Sequence, residues 1–277
     1  MGKTIFILLD GCGFRSAGEN LGYAEHLVEQ KLGAKYRVHG ELPSLSRPMY
    51  ETLLTGLPVQ RHGISNNFAV RRSTCESVFS LCRKSGLKTA AAAYYWISEL
   101  YVRAPFSPLS DRIQLDSESA ISNGIYYFED CYPDSHVFAD AEFLRSRCDP
   151  DFLMIHSMNI DDAGHHFTSE SREYETAVAK VDTVISSFLP GWLELGYSVM
   201  ITADHGMNGV GLHGGNSEIQ RTVPLYLFAS GVSAGDFSEG TAVSELCAAP
   251  LLCRLLGIAP SPGMKASEEI GGIFFER

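Results

Sequence analysis

Three short apolar runs, each leading into an acidic residue, constrain this chain more than any other feature. Residues 4–9 form an apolar run that meets Asp10. Residues 152–158 lead through Asn159 and Ile160 to Asp161. Residues 197–202 lead through Ala203 to the pair Asp204-His205. Runs of this length and composition suit strands buried on both faces of a parallel sheet. Open α/β sheets gather their sites at the carboxyl ends of the strands. The three acids are therefore expected on one edge, with Gly11 and Gly206 letting the chain turn at once.

Strand and helix patterns alternate around these runs. Ala177, Val178, Val181, Val184, Ile185, Phe188 and Leu189 recur at helical spacing, which predicts a helix over 172–190. A helix within 20–35 is followed by a strand over 36–39. A helix over 73–85 precedes a strand over 88–95, and a strand over 222–229 precedes a closing helix over 241–257, kinked at Pro250. The alternation predicts one α/β domain spanning 1–277, a three-layer α/β/α sandwich with a mostly parallel central sheet. Residues 101–150 carry the weakest pattern and are expected to form a small insertion, or lid, over the carboxyl edge.

A net charge of −11 argues against a nucleic-acid polymer as partner, since phosphate-backbone binding needs clustered Lys and Arg. A small phosphate-containing substrate stays compatible, because bound cations reverse the local field. The seven cysteines are odd in number and form no Cys-x-x-Cys pair, which argues against a disulfide framework and a cysteine zinc site. Free thiols favour a reducing compartment. No stretch approaches the length of a membrane span, and the first apolar run is too short for a signal peptide's core. A cytoplasmic protein without a membrane partner is the expectation.

Asp204 and His205, side by side at a strand end, suit a metal ion. His165 stands four residues after Asp161, and His213 lies in the glycine-rich segment 209–215. Three carboxylates and three imidazoles at one sheet edge make two metal sites an expectation. Ser46 precedes Arg47-Pro48, and proline is favoured in a helix's first turn. Ser46 is then either a plain N-cap or a hydroxyl displayed at a positive helix end, where a phosphoryl group would bind. Trp96 and Glu99 follow the 88–95 strand and could line a pocket, with Trp96 reading equally well as a core residue. His62 reads as a loop cap, His156 as a satisfied core histidine, and His166 as pointing away from the site.

Together these motifs resemble the alkaline phosphatase superfamily, most closely its nucleotide pyrophosphatase/phosphodiesterase branch. Leu8-Leu9-Asp10-Gly11 is similar to that branch's first ligand strand. Ser46 stands ten residues before Gly56 of Leu53-Leu54-Thr55-Gly56, as the family's nucleophile does. His62-Gly63-Ile64 through Asn67, Asp161-Asp162-Ala163-Gly164-His165, Thr202 through Met207 and His213-Gly214 resemble its later motifs. Residues 249–258 resemble its closing helix.

The resemblance implies an alkaline phosphatase-like fold and two divalent ions, zinc with manganese as the other candidate. Asp161, His165 and His213 would hold one ion and Asp10, Asp204 and His205 the other. Ser46 would lie between them as nucleophile and as a metal-contacting hydroxyl. The implied activity is hydrolysis of phosphate esters, phosphodiesters or nucleotide pyrophosphates, through a phosphoserine on Ser46. A phosphomonoesterase or phosphonate hydrolase is the alternative, and a non-catalytic ligand-binding descendant is a third reading that the full ligand set argues against. Met49 stands where the branch carries an Asn and cannot donate a hydrogen bond. Arg47, Asn66, Asn67, Tyr50 or a backbone N–H is left to meet a phosphoryl oxygen, and Arg47, Asn67 and Trp96 are the expected substrate contacts.

Overall fold

The structure is a computed structural model and describes residues 2–264 and Ile273. Among the described residues ten strands form one sheet: β1 (Lys3–Leu9), β2 (Ala34–His39), β3 (Thr89–Tyr94), β4 (Ile113–Gln114), β5 (Asn123–Tyr127), β6 (Phe152–Ser157), β7 (Tyr197–Thr202), β8 (Thr222–Phe228), β9 (Gly235–Asp236) and β10 (Val243–Ser244). Their order is β10-β2-β8-β7-β1-β6-β3-β5-β4, with β9 paired to β2. β8 runs antiparallel to β2 and β7, and β4 antiparallel to β5. The remaining pairings are parallel.

Thr4 to Leu9 are completely buried, so both faces of β1 are covered. The helix Arg172–Glu194 packs on β7, and Asp134–Cys148 packs on β3, β6 and Arg172–Glu194. A second group, Ser46–Thr55, Val78–Lys84 and Ala248–Leu256, packs together and against β1 and β3. The sheet thus lies between two helical layers, the expected α/β/α sandwich. No helix among the described residues is long and apolar enough to cross a membrane, and all seven cysteines are unpaired.

The Arg172–Glu194 helix buries Tyr174, Val178, Val181, Ile185, Leu189 and Trp192 along one stripe. Ser171 caps it by accepting the Tyr174 N–H at 3.1 Å. It runs past the predicted end at 190 because Trp192 is buried and donates to Glu142 at 2.9 Å, holding the last turn in place. The predicted 73–85 helix starts only at Val78, where Ser77 and Ser80 bond each other's backbone N–H in a capping box. Pro250 produces no kink of the predicted kind. The helix begins at Ala248, so Pro250 falls in the first turn, where backbone N–H groups have no intrahelical acceptor.

The expected insertion at 101–150 is corrected by the sheet itself. β5 pairs with β3 in register from Ala90 opposite Asn123 to Tyr94 opposite Tyr127. Asp134–Cys148 covers β3 and β6. Gly124 hid the strand by interrupting its apolar pattern. A side chain there would meet buried Tyr126, with a Cβ only 2.4 Å from its hydroxyl.

The strand ends set the site. β1 is the central partner of β6 and β7, with Leu9 beside Ser157 and Leu8 beside Thr202, so the three carboxyl ends are level. β2 runs the same way and delivers the Ser46–Thr55 helix to that edge. Gly11 turns with φ +72°, and a Cβ there would lie 2.9 Å from Cα and Cβ of Asp161. Glycine thus supplies both the left-handed turn and the close approach of the first two acidic segments.

Candidate active site

Each of the three carboxylates has one buried oxygen that accepts no hydrogen bond and faces an imidazole Nε2. Asp204 accepts the Gly11 N–H at 3.1 Å through Oδ1, and its buried Oδ2 has no hydrogen bond and lies 3.2 Å from His205 Nε2. Asp10 accepts from His156 and Tyr50 through Oδ2, and its buried Oδ1 has no hydrogen bond. Asp161 faces His165 Nε2 at 3.3 Å through Oδ2, and its buried Oδ1 has no hydrogen bond. Buried carboxylate oxygens without donors are strongly unfavourable unless a cation meets them. Burial, then the charge of Asp161, holds Asp10 well above the usual carboxylate range. Burial, then the charge of Asp10, does the same for Asp204.

The imidazoles are oriented in one sense. His165 Nδ1 lies 2.9 Å from the Gly211 carbonyl, His213 Nδ1 3.0 Å from that of Ser44, and His205 Nδ1 3.2 Å from that of Gly206. A carbonyl only accepts, so each Nδ1 carries hydrogen and each Nε2 turns inward, with a lone pair wherever the ring is neutral. Metal-ligating histidines are held in this way, the remote N–H donated to a carbonyl. His165 Nε2 and His213 Nε2 face each other at 3.2 Å, a contact that requires a positive charge between or on them. The hydrogen bond to Asp161 lifts His165 to about 9. Burial lowers His213 and pushes His205 down to about 3, so these two stay neutral.

Two sets of ligand atoms lie within 4.8 Å of one another: Asp10, Asp204 and His205, and Asp161, His205 and His213. His165 joins the second set through its contacts with Asp161 and His213. The residues therefore fit divalent cations, by orphaned carboxylate oxygens, inward Nε2 lone pairs and an oxygen–nitrogen donor set. His205 stands at the shared edge of the two sets.

Ser46 opens the helix Ser46–Thr55, whose cap position is Leu45, and no side chain caps it. The Ser46 hydroxyl instead lies 3.1 Å from His205 Nε2 and is almost fully buried. Asn67 Oδ1 accepts the N–H of Arg47 at 3.1 Å, leaving its Nδ2 without a hydrogen bond among the described residues. Asn66 accepts from Phe68 N–H through Oδ1 and is exposed.

Arg47 is corrected as a substrate contact. It is 1% exposed, paired with buried Glu99 at 2.7 Å, bonded to the Ala69 carbonyl at 3.2 Å and stacked 4.5 Å from the Trp96 ring centre. One face of Trp96 is thereby occupied, and Glu99 lines no pocket. Breaking such a pair leaves an uncompensated buried charge, so Arg47→Met should destabilise the fold by about 3–5 kcal/mol. Chemical denaturation checks this, and a loss under 1 kcal/mol would show the pair to be dispensable.

His156 is also more than a core histidine. Its Nε2 lies 2.9 Å from Asp10 Oδ2 and its ring meets Tyr50 edge-on, centres 4.7 Å apart. A polar residue in an otherwise apolar strand was the available signal. Tyr50, one turn after Ser46, donates to Asp10 and not toward a substrate oxygen. His62 does act as a loop cap, accepting the Ile64 N–H through Nδ1, and His166 bonds back to Asp162 at the surface.

The three-layer sandwich gathers its acids and imidazoles at the carboxyl ends of β1, β6 and β7. The family model for type I phosphodiesterase/nucleotide pyrophosphatase matches residues 4–221, and the chain belongs to that family. Among curated proteins it is similar to GPI ethanolamine phosphate transferase 1 of Aspergillus fumigatus, 24% identical over 220 residues, covering 74% of this chain and 21% of that protein. The chain spans about a fifth of the length of that relative. In fold it is similar to murine ectonucleotide pyrophosphatase/phosphodiesterase 5, with a TM-score of 0.73 at 13% identity over 98% of this chain and 100% of that one. The phosphonate monoester hydrolase of Agrobacterium radiobacter gives 0.64 at 13% identity, over 94% of this chain and 74% of that one.

Proposed function

We propose that this chain cleaves a small phosphodiester or nucleotide-like pyrophosphate by attack of Ser46 on phosphorus. The observation that carries this reading is the Ser46 hydroxyl at 3.1 Å from His205 Nε2, beside three inward imidazole Nε2 atoms and three buried carboxylate oxygens that accept no hydrogen bond. Asp161, His165 and His213 would hold one divalent ion, and Asp10, Asp204 and His205 the other, with zinc suited to this donor set. Bound there, the ions supply positive charge to the attacking and leaving oxygens of an in-line displacement.

The chain's own groups do the rest. The helix that begins at Ser46 directs its positive end at the incoming phosphoryl group. Ser46 gives up its hydroxyl proton to solvent as the Oγ–phosphorus bond forms and the bond to the leaving oxygen breaks; the leaving oxygen takes a proton from solvent, and water then cleaves the Oγ–phosphorus bond and restores the serine. Asn67, anchored through Oδ1 to the N–H next to Ser46, offers Nδ2 to a phosphoryl oxygen. The murine relative has also been solved, in an inactive form, in complex with AMP, which supports a nucleotide among the candidate substrates.

The test is a panel of chromogenic phosphodiester, phosphomonoester and phosphonate substrates, run with added zinc or manganese. Preference for the diester supports the proposal. Preference for the monoester or phosphonate retains Ser46 chemistry and replaces the substrate class. A second reading comes from the curated relatives, whose names describe transfer of ethanolamine phosphate. Adding an alcohol acceptor separates the two: a new diester to the acceptor, formed in place of the phosphomonoester that water releases, would favour the transferase.

A further inference from the structure

Asp10 is held by two donors on the same oxygen. Tyr50 Oη and His156 Nε2 both bond Asp10 Oδ2, the latter at 2.9 Å, while Oδ1 lies 3.5 Å from His205 Nε2 with no hydrogen bond. All three side chains are completely buried. The Tyr50 and His156 rings meet edge-on, which fixes both donors relative to each other. His156 projects from β6, opposite Leu8 of β1, and Tyr50 sits one helical turn after Ser46. The contact therefore joins three elements: the strand that carries Asp10, the strand beside it, and the helix that carries Ser46.

We propose that Tyr50 and His156 are positioning residues that hold Asp10 to single-oxygen binding of a divalent ion and couple that ion's site to the Ser46 helix. The inference rests on the two-ion reading given above. A carboxylate free to rotate could offer both oxygens to one ion. With Oδ2 committed to two donors, only Oδ1 turns toward Asp204 and His205. Donors to a ligating group of this kind change metal affinity by on the order of 10–100-fold when removed. Asp161, His165 and His213 touch neither Tyr50 nor His156 through any hydrogen bond among the described residues, so their ion should not respond. Gly11 and Asp204 form the corresponding contact for the other carboxylate, one oxygen held by an N–H and one left open.

The experiment titrates zinc into stripped wild-type, Tyr50→Phe, His156→Leu and His156→Gln proteins against a competing chromophoric chelator, with circular dichroism as the check on folding. Two ions should bind the wild type. In Tyr50→Phe and His156→Leu one of them should weaken by on the order of 10–100-fold while the other holds within about twofold. His156→Gln, which keeps an N–H donor, should recover most of the loss. At saturating zinc, Tyr50→Phe should lower kcat more than it changes KM, because the Ser46 helix has lost its tie to Asp10. Unchanged affinity of both ions in a folded Tyr50→Phe would overturn the clamp while leaving the two-ion reading standing. Equal weakening of both ions, or no recovery in His156→Gln, would assign the residues to general packing and overturn it as well. A wild type that binds no divalent ion would overturn the reading and the clamp together.

Discussion

Replacing Ser46 with alanine should lower turnover by on the order of 10⁴-fold or more, the scale on which a lost nucleophile is felt. The ion content should stay near that of the wild type, because the six carboxylate and imidazole ligands remain. The geometry makes the effect specific. Ser46 makes no cap bond, and among the described residues its hydroxyl has one hydrogen-bond partner, His205 Nε2 at 3.1 Å, so alanine would leave no structural task undone. The measurement pairs a diester assay with elemental analysis of the same sample. Activity within tenfold of the wild type would mean that water attacks directly, and the phosphoserine step would have to be abandoned. Mass spectrometry of acid-quenched wild-type enzyme should reveal a phosphoryl adduct confined to the peptide containing Ser46.

Stripping the ions with a chelator should abolish activity, and zinc or manganese should restore it. It should also lower stability, since an ion bound at about 1,000 times its Kd contributes about 4 kcal/mol to the folded state. The difference should widen as pH rises. In stripped protein, Asp10 and Asp204 are held above their ordinary range by burial and by neighbouring carboxylates, and His165 is raised to about 9 by Asp161. These groups bind more protons folded than unfolded, so their protonation favours the folded state at low pH. That contribution is lost as pH climbs through their folded values. Depressed His205 and His213 act in the opposite sense, but their effect is complete by about the unfolded histidine value of 6.5. Above pH 7 the stripped protein should therefore lose stability faster than the loaded protein up to about pH 9, because the ions replace those protons in the loaded form. Melting curves of both forms across this range check it. Parallel curves would show that the carboxylates are not facing cations.

The parts of the site that could be read in the sequence are those set by local order. Asp10, Asp161 and Asp204-His205 follow buried strands directly, and the alternation of strands and helices is enough to align parallel strand ends on one edge. His165 is one helical turn from Asp161, so its side of the helix follows from periodicity. Tyr50 and His156 were harder to place because their partner, Asp10, is 40 and 146 residues away. Arg47 looked available because a cation beside a nucleophile suits phosphate, yet Glu99, 52 residues on, takes it into the interior.

The sequence by itself determined the sandwich, the acidic strand ends and the serine at a helix start, because hydrophobic period and turn residues act over a few neighbours. Only the tertiary structure decided which lone pairs face inward, which carboxylate oxygen is left open, and that residues 113–127 complete the sheet's edge with β4 and β5. Those outcomes depend on contacts between strands and loops far apart in the chain, where a backbone carbonyl or a buried hydroxyl fixes the orientation of a side chain. Local pattern carries no record of such partners.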